Sequence, residues 1–121
     1  MSVDVSLTRS TVVELVTRAV DGLRGDDRLL SSQLPNLDVS GIHGTDSFRL
    51  TPTQGVQLGD VRGVFADAEI SDTDGVFIHL LLHVVNGKLA ELEVYRDDLA
   101  PVRASISADG IAFYIHGPSE A

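Results

Sequence analysis

The 121-residue sequence predicts an α+β fold, with an N-terminal helix over about residues 11–24 packed on a mainly antiparallel β-sheet meander. Three observations predict it. Val12, Val16, Ala19, Val20 and Leu23 recur at helical spacing and make one apolar stripe. From Leu37 onward, short runs rich in Val, Ile and Phe alternate with Gly, Pro, Asp and Asn. The stretch FIHLLLHVVNGKLAELEVYRDD, Phe77 to Asp98, sets an Asn-Gly turn between two such runs.

Taken in order, residues 1–10 read as a loose or edge-strand start, because Val3, Val5 and Leu7 alternate with polar residues. Thr11 and Glu14 then have capping-box spacing at the helix start. Arg18 and Arg24 favour the negative end of the helix dipole, and Gly25 suits a C-terminal cap. Valines are poor helix formers, so tertiary packing must hold this helix. Asp26 to Leu34 adds a short second helix, stopped before Pro35. The expected strands are 37–43, 47–51, 61–70, 76–85, 88–96, 102–107 and 111–116, with a loop from Thr51 to Gly59. No internal repeat or linker interrupts this order, so one domain over 1–121 is expected.

Side chains alternate across a strand, so loop length decides which faces meet. Ile78, Leu80, Leu82 and Val84 form a wholly apolar face, and the next strand offers Ala90, Leu92 and Val94. A two-residue turn at Asn86-Gly87 would put these sets on opposite faces. A three-residue loop, Val85-Asn86-Gly87, aligns them and is the expected turn. His79, Leu81 and His83 then share the other face with Leu89, Glu91, Glu93 and Tyr95, which brings His79 within reach of Glu93. For the last hairpin, a two-residue turn at Asp109-Gly110 pairs Ile106 with Phe113 and Ala104 with Ile115.

Composition excludes several chemistries. There is no cysteine, hence no disulfide, thiol nucleophile or cysteine-held metal. The longest apolar run, Val76 to Val85, is broken by His79 and His83 and is too short to cross a bilayer. No signal-peptide layout opens the chain, so a cytoplasmic protein with no membrane contact is expected. The net charge is −9, and residues 61–100 hold eight acids against Arg62, Lys88 and Arg96. Such a chain lacks the basic field that binds nucleic acid. The acidity serves solubility or, more sharply, makes an acidic face for a basic protein partner.

Motif chemistry is thin. His79 and His83 stand four apart, but the run lacks a metalloprotease glutamate, and on a strand they lie ~13 Å apart, at about 3.3 Å per residue. No metal is expected there. Sheet histidines able to respond to pH near neutrality fit better. Asp72-Thr73-Asp74-Gly75 has the look of half a calcium loop, but alignment on its glycine puts Ile70 at the first ligand and Leu81 at the terminal glutamate. A turn between strands explains it. Asp67, Glu69, Glu91 and Glu93 could pair as acid and base, yet nothing predicts a pocket around them, and a solvated sheet face fits better. Nucleophile-elbow and phosphate-loop motifs are absent, and no cofactor is expected.

The run DGVFIHLLLHVVNGKLAELEVYRDD, Asp74 to Asp98, resembles the C-terminal signature of a family of small bacterial proteins of unknown function, actinobacterial ones especially. That signature is an apolar strand, an Asn/Asp-Gly turn, then Leu-x-x-Leu-Glu-hydrophobic-Tyr and an acidic end. Asn86, Gly87, Leu89, Leu92, Glu93, Val94, Tyr95, Asp97 and Asp98 carry it. This chain departs from it after the acidic end, where Leu99-Ala100-Pro101 replaces a glycine turn. The resemblance implies an immunity- or antitoxin-like partner protein and brings no catalytic residues.

The expectation is therefore a non-enzymatic protein acting through protein–protein contact, an immunity-type inhibitor in its sharpest form. Its interaction face is Asp67, Glu69, His79, His83, Glu91, Glu93 and Tyr95. Two alternatives stand beside it: a small-molecule site or minor enzyme using His79 or His83 in a cleft between helix and sheet, and a homodimer formed through the open sheet.

Overall fold

The computed structural model describes residues 8–116, so the expected edge strand of Val3, Val5 and Leu7 lies outside the described residues. Helix α1 spans Arg9–Asp21. It starts ahead of Thr11 because Thr8 is the cap: its backbone is extended and its hydroxyl accepts the Thr11 amide at 3.2 Å. It ends at Gly22, whose amide donates to the Ala19 carbonyl while the Leu23 amide donates to that of Val20. Gly25 instead opens the second helix, a 3-10 stretch over Gly25–Gln33. Val12, Leu15, Val16, Ala19 and Val20 make the buried stripe of α1.

Six strands follow: β1 (Asp38–Gly41), β2 (Phe48–Thr51), β3 (Gly63–Ser71), β4 (Phe77–Val85), β5 (Lys88–Arg96) and β6 (Tyr114–Ile115). They form one open sheet in the order β1-β2-β5-β4-β3-β6, and every neighbouring pair is antiparallel. The meander holds for β3, β4 and β5. Strand β2 lies on the far side of β5, which gives β2-β5-β4-β3 a Greek-key order with a long connection over 52–62. That connection crosses the tip of the β4–β5 hairpin, where the Gly87 amide donates to Val61 O and the Leu58 amide to Gly87 O.

The hairpin reaches the expected alignment by a different device. Val85 pairs directly with Lys88, and Asn86 and Gly87 both have positive φ, 53° and 71°, so the turn has two residues, not three. The extra residue sits inside β5 as a bulge beside His83 and Val84, which returns Leu82 opposite Leu92 and Leu80 opposite Val94. Leu89 thereby takes the core place expected for Ala90, and Ala90 is only half-buried. The side chain of Gln33 supports this stretch. Its Oε1 accepts the Leu89 amide at 2.8 Å, and its Nε2 donates to the carbonyls of Val56 and Gly87. Ser47 does the same service one strand over, its hydroxyl accepting from Val94 N and donating to Val94 O.

The core lies between α1 and one face of the sheet, where Ala66, Ala68, Ile78, Leu80, Leu82, Val84, Leu92 and Val94 meet the helix stripe. The C-terminal hairpin expected from Ala104 to Ile115 does not form. Residues 102–107 are not a strand, and β6 pairs with β3 through Ala66 opposite Ile115 and Asp67 opposite Tyr114. Carboxylates take the place of a partner strand: Asp46 accepts the Val102 amide, and Asp72 accepts those of Arg103 and Ala104. Ile106 and Ala108 are buried in consequence.

Candidate interaction face

The face of the sheet turned away from α1 follows from strand alternation. Asp67 lies opposite Leu81 and Leu81 opposite Glu93; Glu69 lies opposite His79 and His79 opposite Tyr95; Val64 lies opposite His83 and His83 opposite Glu91. All seven residues expected on an interaction face thus share one surface. Most are half-buried by their neighbours, and among the described residues no helix or strand packs over them.

Each histidine on this face holds a carboxylate. The His79 ring stacks on Tyr95 with centroids 4.9 Å apart; its Nε2 bonds to Asp97, and its Nδ1 lies 3.7 Å from Glu69. Glu93 bonds to Nε2 of His83 at 2.7 Å, not to His79 as expected, because it stands in the row of Leu81 and reaches diagonally to the next row. His116, just past β6, bonds to Asp67. The sequence reading did not include His116, since its place depends on β6 pairing with β3.

This geometry removes one alternative as it was drawn. His79 and His83 lie on the face away from α1, so neither can line a cleft between helix and sheet. An open cavity of about 370 Å³ by the C-terminal end of β5 is bounded by Thr45, Asp46, Tyr95, Leu99 and Pro101, and neither histidine lines it. Among the described residues no group of three His, Asp or Glu is placed to hold a metal ion.

The strongest electrostatic feature lies at the end of the other face. Arg96 continues the inward alternation of Leu92 and Val94, sits opposite Ile78, and is 1% exposed. Its Nε donates to Asp98, Nη1 to Asp72 and Asp74, and Nη2 to Asp74 and Asp98, so all five N–H groups are used. The turn Asp72-Thr73-Asp74-Gly75 is therefore part of an arginine clamp. Burial alone would raise the Asp72 carboxyl. The amides of Arg103, Thr73 and Ala104 and the Arg96 guanidinium outweigh burial and bring it down to about 2. Asp98 is likewise held low, chiefly by its bonds to Arg96. Asp74 is held low too: burial opposes this, and the Arg96 bond prevails.

These shifts give a pH prediction. A depressed carboxylate contributes stability that is present above its unfolded value, near 4, and is lost as pH falls toward its folded value. The thermal midpoint should therefore hold from neutrality to about pH 5 and fall steeply between about pH 5 and pH 2. Circular dichroism melts across that range check it, and a flat midpoint down to pH 2 would contradict the clamp. Asp27 runs the other way. Burial, then the neighbouring Asp26, raises its carboxyl, and its Oδ2 is buried without a hydrogen-bond partner among the described residues.

Compared with known proteins, residues 14–105 match the family model of a domain of unknown function (DUF6984). No curated protein and no solved structure matches the chain.

Proposed function

We propose that this chain, which belongs to the DUF6984 family of domains of unknown function, works without catalysis by binding a basic protein through the sheet face opposite α1. One observation carries the reading: Asp67, Glu69, Glu91, Glu93 and Asp97 gather on one face that no described helix or strand covers, where the nearby basic groups are Arg49, opposite Glu91, and Lys88 at the start of β5. A hydrogen-bonded sheet offers such a charge pattern on an already ordered backbone, at little cost in conformational entropy. Tyr95, stacked on His79 and half-buried, supplies an amphipathic anchor of the kind that dominates interfaces. The sharpest form of the reading is an immunity-type inhibitor whose acidic face covers a basic functional surface on a toxin partner. The resemblance of Asp74–Asp98 to small bacterial proteins supports that form.

Charge reversal separates binding from folding. The double variant Glu91→Lys/Glu93→Lys alters half-buried surface groups, so its thermal midpoint should move by no more than about 3 °C. Its affinity for the partner should fall by about 100-fold or more. Surface plasmon resonance with the wild type alongside reads the difference, and undiminished affinity in a folded variant would remove the face from consideration.

A further inference from the structure

On the face just described, His79, His83 and His116 each set Nε2 on a different carboxylate: Asp97, Glu93 and Asp67. Among the described residues, none of these three carboxylates is bonded to a lysine or arginine. The groups facing each ring are few. His79 meets Glu69 from β3 and Tyr95 and Asp97 from β5 and its end. His83 meets Val64 from β3 and Glu91 and Glu93 from β5. His116 meets Asp67 from β3, with Tyr114 beside it on β6.

Histidine is the side chain whose charge changes around neutral pH, whereas the lysines and arginines of a basic partner stay charged throughout that range. With neutral rings, each imidazole gives one N–H to its carboxylate and leaves the negative charge on the surface. With a second proton on Nδ1, each ring becomes a cation already docked on that carboxylate. Three of the five negative charges are then cancelled in place, with no strand needing to move. A partner's lysine must also displace an imidazolium to reach the same oxygen.

We propose that the three histidine–carboxylate pairs form a proton-operated release device, so that the face holds a basic partner at slightly alkaline pH and lets it go in mild acid. This rests on the basic-partner reading above. A lysine decamer is the probe, titrated calorimetrically at constant ionic strength at about pH 8 and about pH 5.5. The wild type should bind about tenfold or more weakly at the lower pH. The variant His79→Gln/His83→Gln/His116→Gln keeps a donor on each carboxylate but takes up no proton, so its affinity should not differ between the two conditions. The three single variants give the same readout piecewise, each removing part of the pH dependence. Equal wild-type affinity at both pH values overturns the device and spares the basic-partner reading. Absence of binding even at pH 8 overturns both. A triple variant that keeps the pH dependence takes the device away from these histidines.

Discussion

Replacing Arg96 with leucine should lower the thermal midpoint by roughly 10–20 °C, the largest loss expected from any single change in this chain. Leucine fits the apolar alternation of β5 and would pack against Ile78, so hydrophobic loss is not the cause. The cause is what remains. Asp72 is 4% exposed and would lie buried without its cation, and Asp74 and Asp98 would face each other across an empty place. The same loss frees the segment from Val102 to Ala108, because Asp72 also holds the amides of Arg103 and Ala104. Arg96→Lys should restore little, since one ammonium cannot reproduce a fork that serves three carboxylates. A double-mutant cycle makes the claim quantitative: Asp72→Asn should cost much less in the Arg96→Leu background than in the wild type. Additive losses would show that the two side chains stabilise the fold independently.

The second large effect is expected at Gly87. An alanine there would have to keep φ near 71°, and its Cβ would stand 2.5 Å from the backbone nitrogen of Leu58 and 2.6 Å from its carbonyl carbon. Left-handed backbone costs an L-residue about 1–2 kcal/mol, and forced overpacking adds about 1–3 kcal/mol, so Gly87→Ala should lose roughly 2–5 kcal/mol in urea titration. Gly110 is the internal control. It has φ of 77° but no atom within 4 Å of its would-be Cβ, so Gly110→Ala should lose only about 1–2 kcal/mol. The difference measures how tightly the 58–61 connection is clamped over the hairpin tip. It should appear in dynamics too, as faster hydrogen exchange of the Leu89 amide, which depends on Gln33 staying in place. Equal losses at the two glycines would mean that the connection is not held against the turn.

How far the sequence revealed this molecule depended on the distance over which each feature is decided. Helix α1 and strands β4 and β5 were legible because their periodicity is local and long, and the two faces of the hairpin could be separated by alternation alone. The turn between them differs from the expected one because two devices give the same alignment. A three-residue loop and a two-residue turn with a bulge both bring Leu82 to Leu92, and only the packing of residues 58–61 on Gly87 decides between them. The C-terminal strands failed for a different reason. Amides in 102–104 are taken by Asp46 and Asp72, acids 56 and 31–32 residues away, and local pattern cannot show that. That choice released β6 to pair with β3 and brought His116 onto the face. Arg96 did leave a signal, a charge at the next inward position after Leu92 and Val94. A buried arginine requires carboxylates, and Asp72, Asp74 and Asp98 flank the two strand ends that converge on it.

Whether the acidic face is a binding surface is tested most directly by native mass spectrometry. The protein would be purified from its own host, with wild type and Glu91→Lys/Glu93→Lys compared side by side. The wild type should carry a basic polypeptide in fixed stoichiometry and the variant should fly without it. A bare monomer or homodimer from the wild type, or a partner retained by the variant, would contradict the account.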